Sequence, residues 1–241
     1  MIDWTGEGGL RLGDRRVSDR HLLRIAWITL LSTCAISMLI HALSGHARAI
    51  PFFISESDYP GAERIVFRLG LTASGGLLCL LALRLSYALP STSSPRSTSI
   101  AKYSGLTTGV FVVLLSWFSM HDHLLIHCIF ASITFGSGYL WAYTTHVSLT
   151  DQPSVGHRWR QAWLMAGIAS YAIMNLVLAR PIRDFVLEGG LRDGTTVMNL
   201  AQSSIDIAAP AEYLFFISIV MMLASFEYDL NEGTKEENLI Q

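Results

Sequence analysis

Residues 103–147 read YSGLTTGVFVVLLSWFSMHDHLLIHCIFASITFGSGYLWAYTTHV. A helix crosses the roughly 30 Å hydrocarbon core of a bilayer with about 20 apolar residues, and this run holds enough for two crossings. His121-Asp122-His123 is the only polar place for it to fold back. The run therefore divides into two antiparallel spans, Tyr103 to Met120 and Leu124 to Val147. Alternation at period two is absent, and the segments are too long and too uniformly apolar for the strands of a membrane barrel.

Outward from this pair, four more stretches qualify: about Ile25 to Leu43, Ile65 to Leu89, Ala162 to Ala179 and Ile207 to Phe226. Loop residues separate them: Pro51, Pro60 and Gly61; a Ser/Thr/Pro run from Pro90 to Ser99; Pro153 and Gly156; and Gly189, Gly190 and Gly194. The expected fold is all-α, a polytopic bundle of six transmembrane helices over residues 25–227. A basic tail (1–24) precedes it and an acidic tail (228–241) follows it. Composition agrees. Of 241 residues, 51% are hydrophobic and 15% charged, against a usual charged share of about 25%. Mean hydropathy is +0.41. That balance excludes a disordered chain and leaves too little polar surface for a soluble domain. A net charge of −2 provides no field for nucleic acid.

Lys and Arg orient the bundle. The side holding the N-terminal tail carries Arg11, Arg15, Arg16, Arg20, Arg24, Arg84, Arg96, Lys102, Arg158, Arg160 and Lys235, eleven in all, and the opposite loops carry Arg48, Arg180, Arg183 and Arg192, four. The split predicts both termini in the cytosol, with the first span a signal anchor rather than a cleaved signal. Cys34, Cys79 and Cys128 fall within spans, so no lumenal disulfide framework is expected. Gly70 with Ser74, Gly105 with Gly109 and Ser132 with Gly136 are small-xxx-small pairs that let helices approach closely.

Ionisable groups at membrane depth are costly and face protein or water. Sorted by side, His41, Glu63, Arg64, Arg68, Asp122, His123, His127, Arg180, Asp206 and Glu212 gather at the lumenal ends. Arg68 and Glu212 each lie about one turn inside a span, at similar depth and opposite sign, and are expected to pair. His127 suits a general base, with Asp122 or Glu212 orienting it. His123 and His127 share a helix face, but the Glu of a zincin motif is missing, so no metal is expected. No haem or retinal site is expected either. Paired histidines at fitting depths on neighbouring spans and a lysine in a late span are both lacking, so no cofactor is anticipated.

Three stretches in order carry a resemblance. Tyr59-Pro-Gly-Ala-Glu63-Arg-Ile-Val-Phe67-Arg68-Leu-Gly70-Leu enters the second span. Asp122-His-Leu-Leu-Ile-His127, followed by Phe130 and Phe135, enters the fourth. Ala211-Glu212-Tyr213 through Phe226-Glu-Tyr-Asp229 makes the last. Together they resemble the Frag/DRAM/Sfk family of six-span endomembrane proteins. Val66-Phe67-Arg68, Trp159-Arg160-Gln161, Arg180 and Glu188 are similar to the Golgi member that remodels the lipid of GPI anchors. That resemblance implies reacylation of lyso-GPI at the lumenal leaflet, as an acyltransferase or as an essential non-catalytic component. The implied partners are membrane lipids, GPI or another phospholipid, together with other membrane proteins. On this reading His127 is the base, Asp122 and Glu212 support it, and Arg68 and Arg180 hold the lipid phosphate. The expected location is the Golgi or another endomembrane, with lysosome and plasma membrane as alternatives. The alternative function is a non-enzymatic DRAM-like or Sfk-like regulator of autophagy or membrane lipid organisation.

Overall fold

The computed structural model describes residues 2–3, 9–12, 15–88, 95–149, 155–187 and 194–230. Among the described residues, six helices are long and apolar enough to cross a membrane. They are α1 (Asp19–Leu43), α2 (Ala62–Ala88), α3 (Pro95–Trp117), α4 (Leu124–Ser148), α5 (Val155–Leu187) and α7 (Gln202–Ser225), with a short α6 (Gly194–Leu200) before the last. At 1.5 Å per residue their lengths run from about 35 to 50 Å, beyond a bilayer core of about 30 Å.

The six expected spans all form, but their ends extend. Helix α1 starts at Asp19, because the Ser18 hydroxyl accepts the His21 N–H at 3.2 Å and Asp19 sits at the positive end of the helix dipole. Helix α3 starts inside the expected loop, at Pro95, since proline is well suited to a first helical turn. Gly156 lies within α5, close under Tyr228 and the Ser225 carbonyl, where a larger residue would press on both. Gly194 opens α6, which was expected to be loop. The break between α3 and α4 falls at residues 118–123, as the polar triplet indicated. The N-terminal tail has structure of its own. It holds a small antiparallel sheet, β1 (Ile2–Asp3), β2 (Gly9–Leu12) and β3 (Arg15–Ser18) in the order β1-β2-β3, with Leu10 buried. The C-terminal tail lies outside the described residues beyond position 230.

Helices α1 to α4 pack in chain order, each against the next. Helix α5 packs on α7, which also meets α1 and α4 and so closes the bundle. Half of the α7 apolar window is buried against 11% for α5, so α7 is the inner element and α5 presents most of its surface outward. Lipid tails are as apolar as leucine, so close packing rather than hydrophobic burial joins these helices. Glycines supply it. Gly75 and Gly109 put α2 and α3 backbone to backbone, Gly105 faces Ala82 and Trp141, and Gly70 faces Thr33 of α1. The third expected pair is not used: Gly136 faces open space and Ser132 is exposed.

One end of the bundle, the terminal end, carries the start of α1 and the finish of α7, tied by Arg24 to Glu227. Asp19 accepts from Arg84 at 2.5 and 3.0 Å, joining α1 to α2. Arg160, only 2% exposed, donates to Asp229 at 2.5 Å and to the Ser225 carbonyl at 3.3 Å, joining α5 to α7. The opposite end, the loop end, is roofed by residues 44–61 with a 3-10 turn at Ile54–Ser57.

Candidate functional site

Among the described residues, four carboxylates are buried at the loop end: Glu56, Asp58, Glu63 and Glu212. Charge that leaves water must be matched, and three of them have cationic or imidazole neighbours. Arg48 donates to Glu56 at 2.8 and 3.1 Å. Asp58 lies 3.2 Å from the Arg64 guanidinium and 3.3 Å from that of Arg68. Burial pushes the Asp58 carboxyl above the usual carboxylate range, against the opposing pull of Arg68 and Arg64. Glu63 meets His46 at 2.6 Å and His41 at 3.4 Å.

Glu212 is different. It accepts the backbone N–H of Ile54 at 2.8 Å, and no cationic side chain among the described residues pairs with it. The expected Arg68–Glu212 pair therefore does not form. Arg68 turns to Asp58 and lies over the Trp117 ring, 5.7 Å from its centroid, because Asp58 is presented by the turn just before α2. The roof brings the Ile54 amide to Glu212 instead. Neighbouring Tyr213 fixes the same strip of roof, exchanging hydrogen bonds with the Phe52 backbone.

Below the roof, α1, α2, α3, α4 and α7 surround a narrow cavity of about 90 Å³. Its wall is nearly all apolar, from Phe67, Leu71 and Leu115 to Trp141 and Leu223. His127 and Glu212 both line it. Along α4 the lining runs from His127 to Ala142, and along α7 from Glu212 to Leu223. At 1.5 Å per residue these are lengths of about 22 and 16 Å, comparable to the roughly 15 Å of one leaflet's hydrocarbon. His127 is 3% exposed, and its Nδ1 lies 2.7 Å from the Phe118 carbonyl. A carbonyl only accepts, so Nδ1 carries the proton and Nε2 keeps a free lone pair. That is the tautomer a general base needs.

The expected residues thus separate into groups. His127 and Glu212 share one cavity. Asp122 does not orient His127: its side chain is 57% exposed and lies 3.6 Å from Arg64, and the Phe118 carbonyl takes the orienting position. Arg68 borders the roof through Asp58 rather than the cavity wall. Arg180 stands apart on α5, with its side chain 85% exposed and 3.7 Å from Asp184. Sequence reasoning missed Tyr213, whose only signal is its place beside Glu212. It also missed the two backbone groups, Phe118 C=O and Ile54 N–H, which leave no sequence signal.

A family model described as the Frag1/DRAM/Sfk1/Cwh43P N-terminal domain matches residues 20–233, from the first turn of α1 past the end of α7. None of the curated proteins and none of the solved structures matches the chain.

Proposed function

The chain belongs to the Frag1/DRAM/Sfk1/Cwh43P N-terminal domain family, and from that membership we propose that it acts in GPI-anchor lipid remodelling, in the reacylation of lyso-GPI at the lumenal leaflet of the Golgi. The loop end then faces the lumen and both termini face the cytosol. One observation carries the reading: a narrow apolar cavity, whose lining runs about the depth of one leaflet, ends at a buried base and a buried carboxyl. An acyl chain that enters between the helices and widens the cavity brings its ester carbonyl to the level of His127 and Glu212. Nε2 of His127 takes the proton of the lyso-lipid glycerol hydroxyl as that oxygen attacks the carbonyl of a donor lipid ester. The new C–O bond forms, the donor's C–O bond breaks, and the imidazolium returns the proton to the departing donor alkoxide. Glu212 anchors the roof through Ile54 and shapes the mouth. Arg68, with its side chain a quarter exposed beside the roof, meets the lipid phosphate.

Complementation of cells deficient in GPI lipid remodelling tests this. The wild-type chain should restore the surface level of GPI-anchored proteins and the saturated chain of their anchors. Absence of rescue by a protein that reaches the Golgi would favour a non-enzymatic membrane regulator of the same family.

A further inference from the structure

Beside the cavity, on the other face of the roof, Glu63 presents a carboxylate that hydrogen bonds alone do not satisfy. Glu63 is fully buried and its Oε2 has no hydrogen-bond partner. A carboxylate wholly out of water is costly unless a cation accompanies it. Its neighbours are imidazoles: His41, 2% exposed on the last turn of α1, and His46, exposed just beyond the Ser44–Gly45 turn. One ligand atom from each of the three residues lies within 4.8 Å of the others. We propose that His41, His46 and Glu63 bind a single divalent transition-metal ion of the zinc class.

The donor set decides the class. Two imidazoles and one carboxylate suit zinc, whereas calcium and magnesium take oxygen ligands throughout. With metal–ligand bonds of about 2.0–2.1 Å, tetrahedral ligands stand about 3.3–3.4 Å apart. His41 Nδ1 and Glu63 Oε1 already stand 3.4 Å apart. His46 Nδ1 lies closer to the same oxygen, at 2.6 Å, so the exposed His46 side chain would turn outward by about 0.8 Å (3.4 − 2.6) to share an ion bound at Oε1. The surroundings hold the ligands in place. The Ser37 hydroxyl donates to the Glu63 carbonyl at 3.0 Å, and the Tyr59 ring packs on both histidines, with centroids 5.7 and 4.9 Å away. Three protein ligands leave a fourth position for water on the exposed His46 side. The ion joins the end of α1 to the first turn of α2 and closes the ends of the roof. The site does not depend on the acyl-transfer reading.

The full chain, purified in detergent without a polyhistidine tag and stripped with a chelator, is titrated with cobalt(II). The d–d absorption is followed, and zinc is counted after reconstitution by elemental mass spectrometry. Wild type should hold about one zinc per chain and show tetrahedral cobalt bands. His46→Ala changes an exposed side chain and keeps the fold, while Glu63→Gln keeps the shape of the carboxylate. Both should weaken binding at least about ten-fold, and His123→Ala should leave it unchanged. Monodispersity and melting temperature of the stripped proteins verify the fold. A wild-type protein that takes up no zinc, or a His46→Ala protein that binds as tightly as wild type, overturns the site and leaves a hydrogen-bonded His–Glu–His cluster.

Discussion

The α2–α3 contact makes a prediction in which one substitution type has opposite effects at different glycines. A Cβ added at Gly109 would lie 2.6 Å from the Gly75 carbonyl oxygen and 2.8 Å from the Cys79 nitrogen. Both are backbone atoms and cannot rotate away. Ordinary contact begins at 3.4 Å, so the two helices must separate by about 0.8 Å (3.4 − 2.6). Overpacking of this kind costs about 1–3 kcal/mol, and alanine's better helix propensity returns about 0.5–1 kcal/mol. Gly109→Ala should therefore destabilise by about 1–2 kcal/mol. A Cβ at Gly76 or Gly136 meets nothing within 4 Å. There the propensity gain stands alone, and alanine should stabilise by about 0.5–1 kcal/mol. The gap of about 2 kcal/mol corresponds to about 4–8 °C in melting temperature for a chain of this size. Thermal unfolding of the three variants in one detergent, followed by tryptophan fluorescence, measures it. Gly109→Ala melting at or above Gly136→Ala would show that α2 and α3 do not meet through these glycines.

Other outcomes follow from the ion pairs and the cavity. Asp229→Asn leaves Arg160, 2% exposed, with only neutral acceptors, which should cost about 3–5 kcal/mol; an unchanged chemical-denaturation midpoint would contradict the pairing. Thr134→Trp, a change in the cavity wall, should abolish lipid remodelling in a protein that still reaches the Golgi, at an overpacking cost of about 1–3 kcal/mol. Arg180→Ala should leave remodelling intact, since Arg180 is remote from the cavity, and quantitative rescue assays read this directly. Asp58 has a raised folded pKa, so its contribution to stability is present in full below its unfolded value of about 4 and lost as pH rises through the folded value. As pH rises from about 4 through the folded value, wild type should therefore lose stability relative to Asp58→Asn, and a difference that grows the other way would refute the shift.

The bundle was legible because lipid imposes a coarse rule. Long apolar runs broken at His121-Asp122-His123 and at prolines and glycines yield the same six long apolar helices that the described residues show. Helix ends were not legible, because they depend on partners elsewhere in the chain. Arg160 reads as a flanking charge, yet it lies inside α5 because Asp229 and the Ser225 carbonyl meet it from α7. Gly194 reads as a break, yet its missing side chain lets α6 begin against the Met120 carbonyl. At the site, His127 and Glu212 could be singled out by depth and charge alone. Their partners could not be. Two are backbone groups, and the counter-charge expected for Glu212 goes to Asp58, which the sequence buries in a turn that composition cannot place. His46 was missed for a related reason. It follows His41 across a turn, so no helical spacing links the two, and only the return of the chain at Glu63 brings them together.

The central claim is that His127 and Glu212 form the reacting end of a lipid-holding cavity. Mass spectrometry of the anchor acyl chains on surface GPI proteins tests it most directly. Remodelling-deficient cells would express either wild type or the His127→Ala/Glu212→Ala double variant, matched for abundance and Golgi arrival. Saturated-chain anchors with wild type and unremodelled or lyso anchors with the double variant are the predicted result. Full restoration of the saturated chain by the double variant would contradict the claim.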